Sequence, residues 1–150
     1  MREGWHAADH HQCQTQNQQS DCASCCGSHL LAGVQMIEIL ALIWAHFIAD
    51  FILQTDRVAL NKSRETGILF EHVAIYSAAF IPVCAAWLPL YQCVQFCILT
   101  ALLHFITDFF SSRACSALWK KGERHWFFVV IGLDQAIHMT CLILVWELCK

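Results

Sequence analysis

The chain changes character at about residue 36, from polar to strongly apolar. Residues 1–35 are rich in Gln, His, Ser and Cys and show no helical or strand period, whereas residues 37–149 form long apolar runs separated by short charged segments. An apolar run of about 18 residues or more is long enough to cross the hydrocarbon core of a bilayer as a helix. The pattern therefore predicts an all-α integral membrane protein, a four-helix bundle preceded by a disordered tail.

Four apolar runs give the predicted spanning helices, at about residues 37–54, 68–88, 91–110 and 126–148. These bounds define a tail at residues 1–35 and a membrane domain at residues 36–150. Pro82 lies inside the second run, where membrane helices tolerate a kink, and Pro89 marks a tight turn before the third. The tail has no apolar core of the kind that a signal peptide needs. Met36 offers an alternative start, which would leave the tail outside the native coding sequence.

The composition supports a lipid environment. Apolar residues make up 57% of the chain and charged residues 14%, against roughly 45–50% and 25% in an average soluble domain. A soluble domain of this size could not bury so much apolar surface, so the lipid bilayer is the first expected partner. The net charge is −3, and no basic patch with interleaved aromatic residues is present. Nucleic acid is therefore not an expected partner.

The ten cysteines do not indicate a disulfide framework. Six of them lie in or beside the apolar runs, where Cys usually acts as a small apolar residue. In the tail, Cys22, Cys25, Cys26 and His29 are close in sequence. Without a second pair of well-spaced ligands, this group is only a weak zinc motif.

The distribution of basic residues predicts the topology. Arg57, Lys62 and Arg64 lie between the first and second runs, and Arg113, Lys120, Lys121 and Arg124 lie between the third and fourth. Basic loops stay on the cytoplasmic side of the membrane. Both long loops are therefore expected in the cytoplasm and both termini outside.

Three His–Asp pairs share a spacing of four residues: His46 with Asp50, His104 with Asp108, and Asp134 with His138. This spacing puts both members of a pair on one helix face. The third pair is reversed in sequence, but its helix also runs in the opposite direction, so the histidine lies deeper in all three pairs. His72 opens the second helix at a similar depth, with Tyr76 one turn deeper. All four helices therefore contribute polar groups to one layer of the bundle.

An ionised Asp at the centre of a membrane helix costs about 2.5–3.5 kcal/mol even on a lenient scale, so these side chains must face the bundle interior and find partners. A set of His and Asp ligands suits Zn, Mn or Fe. The alternative is that the pairs are structural hydrogen-bonding groups that fix the register of the helices. At the mouth of the layer, Lys62 is expected either to hold a phosphate or lipid headgroup or to serve as an ordinary interfacial anchor. Gln54 and Asn61 lie beside it in sequence.

Residues 46–51 (HFIADF) and 104–109 (HFITDF) are nearly identical, which is compatible with duplication of a two-helix unit. The wider motif set consists of H-F-I-A-D-F-I-L-Q-T-D at 46–56, N-K at 61–62, H-x-x-x-Y at 72–76, H-F-x-x-D at 104–108 and D-Q-x-x-H at 134–138. This ordered set resembles the small bacterial and phage membrane proteins of the family called domain of unknown function 3307, over about residues 36–145. The resemblance implies the four-helix fold, a bacterial inner membrane location and a site role for Gln54, Asn61, Lys62, Tyr76 and Gln135. It implies no particular reaction.

The leading hypothesis is a metal-dependent hydrolase that acts on a lipid-linked or phosphorylated substrate at the headgroup level. The metal ligands and the general base would come from His46, Asp50, His104, Asp108, Asp134 and His138. Asp134 and His72 are the predicted catalytic residues, with His72 acting as an acid or as a further ligand.

Two alternatives stay open. Chains of His and Asp in membranes also relay protons, so the protein could be a transport or proton-relay module. Four helices are few for a transporter, and that function would need a homo-oligomer. The other alternative is a non-catalytic accessory subunit with a structural polar core.

Overall fold

A computed structural model of the protein describes residues 33–150. Four of its helices are long and apolar enough to cross a membrane: Gly33–Ile52, Thr66–Trp87, Leu90–Lys121 and Arg124–Cys149. No strand occurs in this part of the chain. The prediction of an all-α, multi-pass membrane protein is therefore confirmed. The predicted disordered tail lies outside the described residues, except for its last three positions, which begin the first helix.

The helices are numbered in chain order. The first, α1, spans Gly33–Ile52, and its last turn, Ile48–Ile52, is a π-helix. A short helix α2, Asp56–Asn61, lies in the loop that follows. The second span consists of α3, Thr66–Ala79, and α4, Ile81–Trp87. The third and fourth spans are α5, Leu90–Lys121, and α6, Arg124–Cys149.

The second span is divided at Phe80 because of Pro82. Proline has no backbone N–H and clashes with the preceding turn of a helix, but it is well tolerated in a first turn. Here Pro82 lies in the first turn of α4, and Phe80 both ends α3 and begins α4. The kink expected at Pro82 is therefore a division of the span into two helices.

The third span is longer than predicted, because the helix continues eleven residues past Phe110 to Lys121. Basic residues lower the hydropathy of this stretch, but they are good helix formers and do not end a helix. The helix ends at Gly122, which has a φ of 77° and whose N–H bonds back to the carbonyl groups of Leu118 and Trp119. A helix of 32 residues is about 48 Å long, against a hydrocarbon core of about 30 Å. Part of α5 therefore extends beyond the hydrocarbon core.

The interior of the bundle is mostly apolar at one end and polar at the other. Phe80, Phe96 and Trp146 pack edge to face at the apolar end and are fully buried. The opposite end carries residues 53–65 and the turn at Gly122, and we call it the basic-loop end. Large apolar side chains such as Trp44, Phe70 and Phe128 remain exposed on the outside of the spans, as expected for surfaces that contact lipid.

Replacement of Gly122 by alanine tests the end of α5. We expect Gly122→Ala to lower the free energy of unfolding by about 1 kcal/mol, because a residue with a Cβ is strained in the left-handed region. Gly132→Ala is the matched control, since Gly132 lies inside α6 and a Cβ at either glycine meets no heavy atom within 4 Å. The control should be neutral or stabilising by up to about 1 kcal/mol. Unfolding in detergent followed by circular dichroism gives both values, and equal effects would contradict the assignment.

Candidate metal centre

The polar end of the interior is formed by side chains from all four spans. They come from the four-residue spacings on α1, α5 and α6 and from one turn of α3, and almost all of them are at most 5% exposed. We call this set the His/Asp cluster; it consists of His46, Asp50, His72, His104, Asp108, Asp134 and His138. Asp134 is the partly exposed member. The structure therefore brings all six sequence-predicted ligands, together with His72, into one place.

The last turn of α1 orients Asp50. The backbone N–H of Leu53 bonds to the carbonyl of Ile48, five residues earlier, at 2.9 Å. Such a widened turn changes the direction of the side chains within it and is common at functional sites. Asp50 is in this turn and is buried. The spacing of His46 and Asp50 predicted a shared helix face, but nothing in the sequence indicated the π-helical turn.

Four side-chain atoms in the cluster lie at nearly equal separations. His72 Nε2 is 3.1 Å from both His104 Nε2 and Asp50 Oδ1. His104 Nε2 is 3.6 Å from Asp50 Oδ1 and 3.7 Å from Asp108 Oδ2. His72 Nε2 is 3.4 Å from Asp108 Oδ2. All four residues are buried, and we call their facing atoms the four-ligand set.

These separations fit a tetrahedral metal site. Ligand bonds of about 2.0–2.2 Å to zinc place neighbouring ligand atoms roughly 3.3–3.6 Å apart in a tetrahedron. The distances from each histidine nitrogen to the two carboxylates are mostly longer than a good hydrogen bond. Two imidazole nitrogens that face each other cannot both donate a proton, but both can bind one cation. The residues present therefore fit a divalent metal ion.

Ring stacking fixes the orientation of His104. Its ring lies parallel to that of Tyr76, with the centroids 3.6 Å apart, and it also stacks on His138 at 4.3 Å. Its Nδ1 is buried and has no hydrogen-bond partner among the described residues. Metal-binding histidines are usually oriented by a hydrogen bond from the second nitrogen. Here the stacked rings of Tyr76 and His138 hold the His104 ring instead.

His46 lies beside the four-ligand set with both ring nitrogens already engaged. Its Nδ1 is 2.8 Å from the hydroxyl of Tyr76, and its Nε2 is 3.0 Å from Gln135 Oε1. The amide nitrogen of Gln135 donates to Asp50 Oδ2 and Asp134 Oδ2, both at 3.1 Å. His46 was predicted to be a metal ligand; in this arrangement it orients Gln135, which in turn holds two carboxylates.

A cavity of about 620 Å³ opens beside the cluster at the basic-loop end. Asp50, Asp108, Asp134 and Gln135 line it on the side of the cluster. Its other lining residues include three basic side chains, Lys62, Arg64 and Lys120. The cavity therefore combines carboxylates, which bind cations, with basic groups, which bind anions.

Lys62, Gln54 and Asn61, which were predicted at the mouth of the polar layer, make different contacts. Lys62 donates to Asp108 Oδ2 at 2.7 Å, an ion pair that the sequence did not predict. Gln54 lines the cavity, and its Oε1 has no partner among the described residues. The side chain of Asn61 instead donates to the backbone carbonyl of Arg57 at 2.8 Å.

Sequence reasoning missed the serines of the cavity. Ser111 and Ser112 line it from α5. They follow Asp108 by three and four residues, which places all three on one helix face. That spacing is the signal that could have identified them.

The fold and the cluster define a class of protein: a multi-pass helical membrane protein with a buried, polar His/Asp cluster at one end of the bundle. The chain belongs to the family described as "Protein of unknown function (DUF3307)", whose model matches residues 39–150. The match includes the whole His/Asp cluster and confirms the resemblance found in the sequence motifs. Among curated proteins and solved structures, no significant match to the chain is found.

The ion pair of Lys62 gives a test of the cluster in metal-free protein. We expect Lys62→Met to lower the free energy of unfolding by about 3 kcal/mol, because the Asp108 carboxylate would then stay buried without its cation. The Lys62 side chain is 15% exposed and that of Asp108 is 2% exposed. Thermal unfolding of chelator-treated protein in detergent measures the change.

Arg57→Met is the control for this experiment. Arg57 pairs with Glu71, and this hydrogen bond raises the pKa of the guanidinium. The two side chains are 57% and 45% exposed, so water screens the pair. The unfolding temperature of Arg57→Met should stay close to that of the unchanged protein. A Lys62→Met variant that is as stable as the control would contradict the role given to Lys62.

Proposed function

We propose that the protein is a metal-dependent hydrolase that acts on a phosphorylated, lipid-linked substrate at one surface of the membrane. The observation that carries the proposal is the four-ligand set, with five separations of 3.1–3.7 Å between its buried atoms. Two of its carboxylates, Asp50 and Asp108, also line the cavity. A cation held there would be next to the space in which a substrate binds.

The donor atoms favour a borderline metal ion. His72 and His104 supply nitrogen, and Asp50 and Asp108 supply oxygen. This mixture suits Zn²⁺, and it also accepts Mn²⁺ or Fe²⁺. A bound ion of this kind polarises a phosphoryl oxygen and lowers the pKa of water. In this arrangement His72 acts as a ligand rather than as an acid.

The basic side chains of the cavity support a phosphorylated substrate. Lys62, Arg64 and Lys120 line the same space as the carboxylates. Arginine and lysine bind phosphate through charge-assisted hydrogen bonds, which are strong where water is partly excluded. Ser111 and Ser112 add hydroxyl groups that can bind phosphate or sugar oxygens.

The apolar part of the cavity supports a lipid-linked substrate. Phe51, Leu60, Trp119, Phe127 and Ile131 line it together with the polar groups. The cavity lies along the C-terminal half of α5, from Asp108 to Lys120, and we place this half at the level of the lipid headgroups because the helix is longer than the hydrocarbon core. A lipid could enter from the bilayer with its chain against these side chains and its phosphate toward the basic residues.

The location of the polar groups favours a hydrolase over a proton-relay module. The buried core at the end opposite the basic loops consists mostly of apolar side chains, among them Phe80, Phe96 and Trp146; of the described residues outside the cluster, only Glu38 and Thr100 are buried and polar. A relay would need polar groups or water along the whole span. The cluster is instead concentrated at one end, beside a cavity.

Loss of a ligand should remove the metal and the activity together. We expect Asp50→Asn and His104→Ala each to release the bound metal and to lower hydrolysis by more than about 100-fold, the upper end of the loss for an outer-shell substitution. Asp56→Asn is the control, because Asp56 is exposed in α2. Elemental analysis and phosphate release from a panel of phosphorylated lipids give the two readouts. Metal-free wild-type protein that moves protons in proteoliposomes would instead favour the relay.

The proposal places the protein in the bacterial inner membrane with both basic loops in the cytoplasm, because basic loops are retained there. We expect alkaline phosphatase fused after Lys150 to be active, since the C-terminus would lie outside. A fluorescent protein fused at the same residue should be dark when exported unfolded, and one inserted at Gly122 should be bright. The reverse pattern at the two positions would show the opposite orientation.

A further inference from the structure

The two oxygens of Asp108 face different partners. Oδ2 belongs to the four-ligand set and also accepts the hydrogen bond from Lys62. Oδ1 points to the other side, where it is 3.8 Å from His138 Nε2. A carboxylate that offers one oxygen to each of two neighbouring positions is suited to bridging two metal ions.

His138 is a buried histidine that stacks on the ring of His104. It is 3% exposed, and neither of its ring nitrogens has a hydrogen-bond partner among the described residues. Its Nδ1 is 3.5 Å from Asp134 Oδ2. An unsatisfied buried polar group costs roughly 1–3 kcal/mol. The separations of 3.5 Å and 3.8 Å are longer than a normal hydrogen bond, so one of the two nitrogens is available to bind a cation.

Within the described residues, one carboxylate oxygen of Asp134 is hydrogen-bonded and the other is not. Gln135 donates to its Oδ2, whereas its Oδ1 is buried and has no partner in the described part of the chain. Asp108, Asp134 and His138 can each present a ligand atom within 4.8 Å of the other two. Three residues on two helices thus converge on a position next to the four-ligand set.

We infer that the cluster binds a second metal ion through Asp108, Asp134 and His138, with the Asp108 carboxylate bridging the two ions. The inference rests on the proposed function and makes it a two-metal site. His46, Asp50 and His138 form another group of this size, but both nitrogens of His46 are already hydrogen-bonded. Asp134 is accordingly a ligand here, rather than a free general base.

The two positions differ in their access to substrate. Of the four-ligand set, the two histidines do not line the cavity, and four protein ligands fill a tetrahedron, so an ion there would take up water or a phosphoryl oxygen only by expanding to five ligands. The second position has three protein ligands, two of which, Asp108 and Asp134, line the cavity. Three ligands leave coordination positions open, as in catalytic sites. Pairs of ions about 3.5–4 Å apart are typical of enzymes that displace groups at phosphorus.

The charges of the cluster agree with an anionic substrate. The cluster has three carboxylates, Asp50, Asp108 and Asp134, and one ammonium group beside it, that of Lys62, which pairs with Asp108. One divalent ion would offset the remaining negative charge. A second ion would make the site positive, which favours binding of a phosphate dianion in a place of low dielectric constant.

Zinc content of a set of full-length variants tests the second position. Each protein is loaded with Zn²⁺ in detergent, dialysed and measured by mass spectrometry. Residues 1–32 are the same in every variant, so differences in zinc content report the cluster alone. We expect His138→Ala and Asp134→Asn to bind one ion fewer than wild type, and His104→Ala also one fewer. Asp108→Asn should bind at least one ion fewer, because its single amide oxygen cannot serve both positions.

His125→Ala is the control, since His125 is exposed at the start of α6 and should keep the wild-type content. Mn²⁺ gives an independent readout by electron paramagnetic resonance. Wild type loaded with Mn²⁺ should show the signal of two coupled ions, and Asp134→Asn, which preserves the side-chain shape, should show that of an isolated ion.

Two results would overturn the inference: unchanged zinc content in both His138→Ala and Asp134→Asn, or no coupled manganese signal in wild type. If His104→Ala still loses one ion, the single-metal hydrolase stands and only the second position is refuted. If His104→Ala also keeps the wild-type content, the proposed function fails as well.

Discussion

The structure depends on the cost of placing ionisable side chains inside an apolar bundle. An Asp or His that faces lipid is expensive, so the helices that carry these residues must turn them inward and toward each other. In this chain the requirement applies to all four spans at the same depth. It fixes the rotation of α1, α3, α5 and α6, since each contributes at least one member of the His/Asp cluster. The apolar packing of Phe80, Phe96 and Trp146 completes the bundle at its other end.

The same constraint links the fold to the proposed chemistry. Buried carboxylates that lack enough basic partners attract cations, and the cluster has more carboxylates than the ion pair with Lys62 can neutralise. The cavity lies beside these carboxylates, and in the proposed function it is the space through which a substrate reaches them. Gln135 links three members of the cluster, because its side-chain amide is hydrogen-bonded to His46, Asp50 and Asp134.

The sequence predicted the features that follow from hydropathy and helical period, namely the four spans and the shared faces of the three His–Asp pairs. It did not predict features set by tertiary contacts or by backbone geometry. The π-helical turn at Asp50 leaves no mark in the hydropathy pattern, so the pattern could not predict it. The continuation of α5 to Lys121 was missed because the basic residues of this stretch suggested a loop. The pair between Lys62 and Asp108 joins residues 46 apart, which no local pattern reveals. His46 has the spacing of a ligand, but both of its ring nitrogens are hydrogen-bonded, one to Tyr76 and one to Gln135, so it lies beside the four-ligand set.

The central claim is that a metal ion is bound by nitrogen and oxygen atoms of the His/Asp cluster. X-ray absorption at the zinc edge of the purified full-length protein tests it most directly. We expect a first coordination shell of nitrogen and oxygen at about 2.0–2.2 Å. A shell made only of sulfur at about 2.3 Å would place the zinc on cysteines instead. That result, or protein that binds no zinc at all, would show that the His/Asp cluster is not a zinc site.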